Sequence, residues 1–177
     1  MRVQPLLVLA LVGGSMGADQ VRADQVRADQ VRADQVRADE VRADREATVE
    51  VVTRRNLMSA PVTPAVGSGF VSGGDLFDAG GDDRVGEGFS HCGVLAVTTG
   101  LPPSVTAHCT STFRLPDGEL HLSGLRDYRS IAGGFEDTAV AVVGGTGAYA
   151  NARGEGRATR SGSADVGYRF TFTITTG

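Results

Sequence analysis

The 177-residue chain contains no lysine and no tryptophan, and it has only two cysteines. All 17 basic residues are arginine, which reads as a codon-usage bias and not as a device for binding. The formal net charge is −4 and the pI is near 5.3, a balance that argues against a nucleic-acid partner. Two thiols make a weak metal site and no Cys-x-x-Cys occurs, so neither a metal nor another cofactor is expected. Long apolar runs are missing too. The one short run, Leu6 to Val12, cannot span a bilayer, which takes roughly 20 residues. Aromatics are scarce at 6%, and residues 46–177 carry no amphipathic helical pattern of any length.

The first segment reads as an export signal. Met1-Arg2 gives a positive start, the short apolar run follows, and Ser15, Gly17 and Ala18 are small enough for a signal peptidase. Residues 1–18 are therefore expected to be removed after Gly17 or Ala18, leaving a secreted protein with no membrane attachment. Cys92 and Cys109 suit an oxidising compartment and are expected to form a disulfide; a pair of buried thiols or a reactive cysteine is the alternative.

Residues 18–42 are five copies of a pentapeptide, four of Ala-Asp-Gln-Val-Arg and one of Ala-Asp-Glu-Val-Arg. Five residues turn a helix by about 500°, so the valines spiral round it without forming a stripe. On a strand an odd period sends successive valines to opposite faces. Residues 19–45 are thus expected to be a disordered or frayed-helical tail, a tandem expansion tolerated at the surface. A spacer or adhesive role is the functional alternative.

From residue 46 onward the texture is that of strands. Eight are expected: Thr48–Thr53, Gly69–Phe77 with a bulge at Gly73-Gly74, Val85–Val97, Val105–Leu115, Glu119–Tyr128, Thr138–Val143, Gly154–Thr159 and Gly167–Thr175. Asn56 to Ser68, with Pro61 and Pro64, reads as a loop, and Pro116-Asp-Gly118 as a hairpin turn. Short connections between consecutive strands suggest an up-and-down meander that closes into an eight-stranded antiparallel barrel. A sandwich is the alternative architecture. If Cys92 faces Cys109, paired positions sum to 201, so that Val94 faces Ala107 and Ala96 faces Val105 about a turn near Gly100-Leu101.

The stretch Val142-Val-Gly-Gly-Thr-Gly-Ala-Tyr-Ala-Asn-Ala-Arg-Gly154 is a strand, a glycine-rich reversal and a second strand. It lacks the Lys-Ser/Thr pair of a phosphate loop and the helix of a dinucleotide site, so a structural turn is the better reading. With Phe135 to Ala141 in front of it, this segment resembles the signature of the allene oxide cyclase and dirigent superfamily. Gly74-Asp-Leu-Phe77 and Leu115-Pro-Asp-Gly-Glu-Leu-His-Leu-Ser-Gly124 agree with that resemblance, which spans residues 46–177 and is closest to the secreted actinobacterial branch. The resemblance implies an eight-stranded barrel, frequently trimeric, with an apolar lumen and neither metal nor nucleotide. Plant members close a ring from an allene oxide or direct phenoxy-radical coupling, and bacterial relatives include polyketide cyclases. A small hydrophobic ligand is the partner implied.

Several residues are candidates for that work. Glu50 sits where a cyclase of the family carries a carboxylate, although no Asn lies two positions after it. An outward, solvated Glu is the alternative. Arg153 matches the arginine of the family's Ala-Arg-Gly and could orient a phenol or carboxylate; its alternative is a rim salt bridge to Asp137 or Glu155, which are taken with Tyr149 to flank the same turn. The last strand alternates cleanly, so Tyr168, Phe170, Phe172 and Ile174 should face inward. With Phe70, Phe77 and Tyr149 these aromatics are the candidate lumen wall. His91 and His108 each precede a cysteine and should point away from a barrel that encloses the disulfide; His121 is read as another exposed strand histidine. Leu95 and Val97 oppose Val94 and Ala96, and so doubly apolar a strand suggests a subunit contact. The reading overall is an exported barrel that binds a small hydrophobic molecule, with cyclising or stereodirecting activity by confinement as the use the resemblance implies. Its rival is a non-catalytic extracellular barrel acting through carbohydrate, surface or protein contacts.

Overall fold

The computed structural model describes residues 25–32, 45–101, 103–162 and 166–177. The expected signal segment and much of the repeat lie outside the described residues. Within the repeat, residues 25–32 form a short α-helix whose side chains are all exposed, Val26 and Val31 included.

The remaining described residues form a closed antiparallel barrel. Its strands are β1 (Arg45–Ser59), β2 (Gly69–Phe77), β3 (Arg84–Val97), β4 (Val105–Leu115), β5 (Gly118–Ser130), β6 (Gly134–Phe135), β7 (Thr138–Gly145), β8 (Arg153–Arg160) and β9 (Gly167–Thr176). β6 is a two-residue strand that doubles back on the end of β5. The other eight form the wall, each hydrogen-bonded to its neighbours in sequence, and β1 pairs with β9 to close it. A 3-10 turn, Gly147–Tyr149, links β7 to β8.

The closed sheet places alternate side chains inside. From β9, Tyr168, Phe170, Phe172 and Ile174 are all buried, as the alternation requires. Small residues on neighbouring strands give the rings their room. A Cβ at Gly156 on β8 would come within 2.5 Å of the Phe172 ring, and one at Gly88 within 3.0 Å of the Phe113 ring. Leu76, Leu120, Leu122, Val140 and Val142 fill the rest of the interior.

Cys92 and Cys109 are joined across the β3–β4 pair and point into the barrel. The register sum holds as far as Val94 opposite Ala107. It then slips by one residue at Leu95, so Ala96 faces Thr106 and Val97 faces Val105. That bulge corrects the pairing expected of Ala96, and it leaves Leu95 and Val97 exposed.

Two further expectations are corrected. β1 runs on through Asn56 to Ser59, residues expected to be loop, because β2 continues alongside it and supplies ladder partners for Leu57, Met58 and Ser59. The bulge expected at Gly73-Gly74 lies across the ladder from them, where Asn56 is the extra residue between Arg55 and Leu57. A Cβ at Gly74 would strike the Arg54 carbonyl and the Arg55 Cα, so glycine lets β1 kink against β2 there.

Linking residues 17 apart removes loop entropy from the unfolded chain, worth about 3 kcal/mol. Reduction, or the double substitution Cys92→Ala/Cys109→Ala, should lower the unfolding free energy in urea melts by that amount, with the midpoint moving to lower urea. Equal midpoints with and without reductant would contradict this.

Candidate functional site: a buried arginine beneath an aromatic mouth

Antiparallel connection sorts the loops to two ends. The β1–β2, β3–β4, β5–β7 and β8–β9 connections share one end. The β2–β3, β4–β5 and β7–β8 connections share the other. A cavity opens at the first end, lined by Phe70, Tyr128, Ile131, Phe135, Tyr168 and Phe170 among others. It encloses about 60 Å³, room for about two waters.

Beneath this mouth lies Arg126, on β5 between Gly124 and Tyr128 of the inward-facing row. It is only 4% exposed. One Nη donates to the Ser111 hydroxyl at 2.7 Å and the other to the Ser90 hydroxyl at 3.3 Å. The two hydroxyls bond each other at 2.7 Å. The guanidinium carbon sits 4.6 Å from the centroid of the Phe135 ring, a cation–π arrangement. Among the described residues no carboxylate is ion-paired with it. Five N–H donors thus meet the two serine hydroxyls, the neighbouring Tyr128 hydroxyl and a ring face, all neutral. Burial pulls the guanidinium below its ordinary pKa, while the adjacent Tyr128 hydroxyl opposes that shift. An arginine remains charged throughout the accessible pH range even so.

The β5–β7 connection folds over the mouth as a strap. Ile131, Gly134 and Phe135 are its buried residues. The Arg55 guanidinium donates to the carbonyls of Ile131 and Ala132, and Arg160 donates to the carbonyl of Gly133. Phe135 stacks on Tyr168 with centroids 3.8 Å apart, and the Tyr168 hydroxyl bonds both the amide and the carbonyl of Phe135. Gly134 takes φ +87°, which favours glycine, and a Cβ there would also strike the Tyr168 hydroxyl.

Of the sequence candidates, Phe70, Tyr168 and Phe170 line this cavity. Phe172 lies deeper, packed fully into the core. Phe77 is opposite Val52, a position of the outer face, and there the Arg54 guanidinium lies 4.1 Å from its ring centroid. Glu50 is on that outer face as well, between the inward Val49 and Val51, and pairs with Arg169. Arg169 in turn donates to the Ala79 carbonyl and Arg54 to the Gly81 carbonyl, so this group clamps the β2–β3 turn. Inside the turn, Asp78 accepts from the amides of Gly81, Asp82 and Asp83, and its carboxyl is held below the usual range by them, the Asp82 amide first.

Arg153 and Tyr149 sit at the end opposite the mouth. The Arg153 side chain is exposed and donates to the Ala152 carbonyl at 2.7 Å. Asp137 does not share their turn; it lies at the far end of β7 and accepts from the Arg160 amide. His91 and His108 are exposed outside the wall, and His108 bonds Ser123. His121 is also outward, beside Glu119.

Sequence reasoning missed Arg126, Phe135, Ser90 and Ser111. The phase of β5 carried the signal. Leu120, Leu122 and Tyr128 set the inward row, and Gly124 and Arg126 occupy its other two positions.

Residues 46–173 match the Allene oxide cyclase barrel like domain, and the chain belongs to that family. Solved structures share the fold. A pyocyanin demethylase is 20% identical, covering 72% of this chain and 99% of its own, with a TM-score of 0.58. An exo-specific intermolecular Diels-Alderase, AbnU, is 15% identical over 76% of this chain and 99% of its own, at 0.59. A pterocarpan synthase dirigent protein is 16% identical over 76% of this chain and 86% of its own, at 0.56. No curated protein matches the sequence.

Burial raises the phenol pKa of Tyr128, with Arg126 opposing, and that of Tyr168, with Arg160 opposing. A folded-state pKa above the unfolded value gives stability that is complete below about pH 10 and is lost as pH rises through the folded values. In an alkaline titration, tyrosinate absorbance should therefore rise in two stages, with the late stage coinciding with loss of near-UV circular dichroism. A single early stage would count against both buried phenols. The uncompensated charge gives a second expectation. Arg126→Met lets Ser90 and Ser111 keep their mutual bond and should stabilise the ligand-free protein by about 1–4 kcal/mol in urea melts.

Proposed function

We propose that this barrel is exported and binds a small hydrophobic molecule at the aromatic mouth, acting on it, where it acts, by confinement. The observation that carries the reading is the cavity itself: an apolar, ring-lined opening with a polar cluster at its base. A flexible reactive substrate held there in one conformation, away from water, would gain rate or selectivity without a strong acid or base. The structural neighbours named above as a demethylase, a Diels-Alderase and a dirigent protein are consistent with such a use of the fold. The polar groups available to a bound molecule are Arg126 and the Tyr128 hydroxyl. Glu50, half-buried in its pair with Arg169, and the exposed Arg153 both lie outside the wall and are better read as structural. Export is supported by the signal-like first segment and the disulfide. The trimer implied by the resemblance has a face available in Leu57, Val71 and Phe89, which are exposed side by side on β1–β3; light scattering of the purified protein checks its mass.

One observation favours the rival, non-catalytic barrel. The cavity of about 60 Å³ is far below the roughly 300–1,000 Å³ of ordinary ligand pockets. Binding therefore requires the strap over residues 130–137 to lift. A size-graded panel of hydrophobic molecules should raise the melting temperature, and Phe70→Ala should extend the response to larger members. Deuterium uptake across the strap should change on binding. No shift with any compound, in either protein, would leave the non-catalytic reading standing.

A further inference from the structure

Arg126 needs an explanation that the fold does not supply. Taking a guanidinium out of water costs several kcal/mol, and a partner of opposite charge is the usual compensation. Here the compensation is neutral: two serine hydroxyls, the neighbouring Tyr128 hydroxyl and one ring face. An apolar residue would fill the same volume at lower cost. Arg54 and Arg55 also line the cavity, but they bond backbone carbonyls of the turns at Gly81, Ile131 and Ala132, whereas Arg126 is buried, where its charge is felt more strongly by anything entering. The Tyr128 hydroxyl lies within reach of a third N–H, which leaves two of the five donors with no protein acceptor among the described residues. They sit at the base of a cavity whose other lining is largely aromatic and aliphatic. The two serines hold the planar fork in a fixed orientation, which suits an acceptor with two coplanar oxygens.

We propose that the barrel selects small hydrophobic acids, with the carboxylate of the ligand seated on Arg126 and its apolar part against Phe70, Phe135, Tyr168 and Phe170. The inference rests on the lumen-binding reading above and narrows it to one chemical class. It also explains why the arginine is tolerated: the ligand brings the missing counter-charge. Arginine and carboxylate are both charged between about pH 6 and 9, so the preference holds across that range. It should decline toward pH 4, where the carboxylate takes up its proton.

The test uses matched pairs, benzoate against benzyl alcohol and hexanoate against hexan-1-ol, titrated into the full chain by calorimetry and by NMR of the Arg126 Nε–H. The expected result is at least tenfold tighter binding of each acid than of its alcohol, with the Nε–H resonance moved by acids only. Arg126→Gln should bring acid and alcohol within about twofold of each other, whereas Arg153→Gln should keep the preference. Should Arg126→Gln fail to fold, the wild-type pairs and the Nε–H resonance decide alone. Equal binding of acid and alcohol would overturn the anion site and leave lumen binding intact. Binding of none of the four would overturn both readings. A preference that survives Arg126→Gln but is lost in Arg153→Gln would move the anion site to the surface and overturn the proposal.

Discussion

A sheet that closes on itself has a fixed perimeter, and every inward side chain competes for the space that perimeter encloses. β1 pairs with β9 over ten residues, from Arg45 opposite Thr176 to Arg54 opposite Gly167, and so commits the wall to eight strands. At that size side chains nearly fill a barrel. The interior then works as a volume constraint. Glycine at 156 and at 88 is what admits the Phe172 and Phe113 rings. Placing so many rings in one half of the lumen leaves a small cavity at the end where the strap closes.

The constraint bears on Arg126 in a particular way. A long charged side chain in a full barrel cannot reach solvent by bending outward, so it must lie along the wall. Ser90 and Ser111, on adjacent strands, give it polar seats, and Phe135 from the strap covers it. The strap itself is held by Arg55, Arg160 and the Tyr168 hydroxyl, each bonded to its backbone. These are contacts to one short segment, in place of the continuous ladder that holds the wall. Opening the mouth therefore breaks these bonds, the short β5–β6 ladder and the contacts of the Phe135 ring with Tyr168, Tyr128 and Arg126, while the eight-stranded wall stays closed.

Much of this architecture was legible because period-two alternation and turn residues are local signals. Tyr168, Phe170, Phe172 and Ile174 could be assigned inward from their own strand, and Cys92 opposite Cys109 followed from the turn between them. The errors arose where a neighbour decides the outcome. β1 continues past Asn56 because β2 offers it partners, which nothing in residues 56–59 announces. Phe77 is aromatic at a strand end, yet its phase beside Leu76 puts it outside, where Arg54 covers it. Glu50 looked singular as the one acid in an apolar run, but a run that is apolar on both faces says only that its outer face is covered. Arg126 was missed for the converse reason. A charge in a strand is ordinarily assigned to solvent, yet here Arg126 is buried and its neighbour Leu125 is more than half exposed.

The glycine-rich signature and the cavity occupy opposite ends of the barrel, and that separation bears on how the family resemblance is to be used. Gly147 takes φ +60° and packs on the Asp117 carbonyl; Gly145 packs on the Glu119 and Tyr149 carbonyls. Thr146 donates its amide to the Glu119 carbonyl, Ala148 donates to Asp117, and the Thr146 hydroxyl accepts from the Glu119 amide. The motif is thus a clasp between the β4–β5 and β7–β8 turns, in which side chains at the glycine positions would collide with backbone. Its residues report that the barrel is sealed at that end and are silent about what enters at the other. Chemistry in this barrel has to be argued from the strap and from the inward row of β5, where Arg126 is the one buried charge among the described residues.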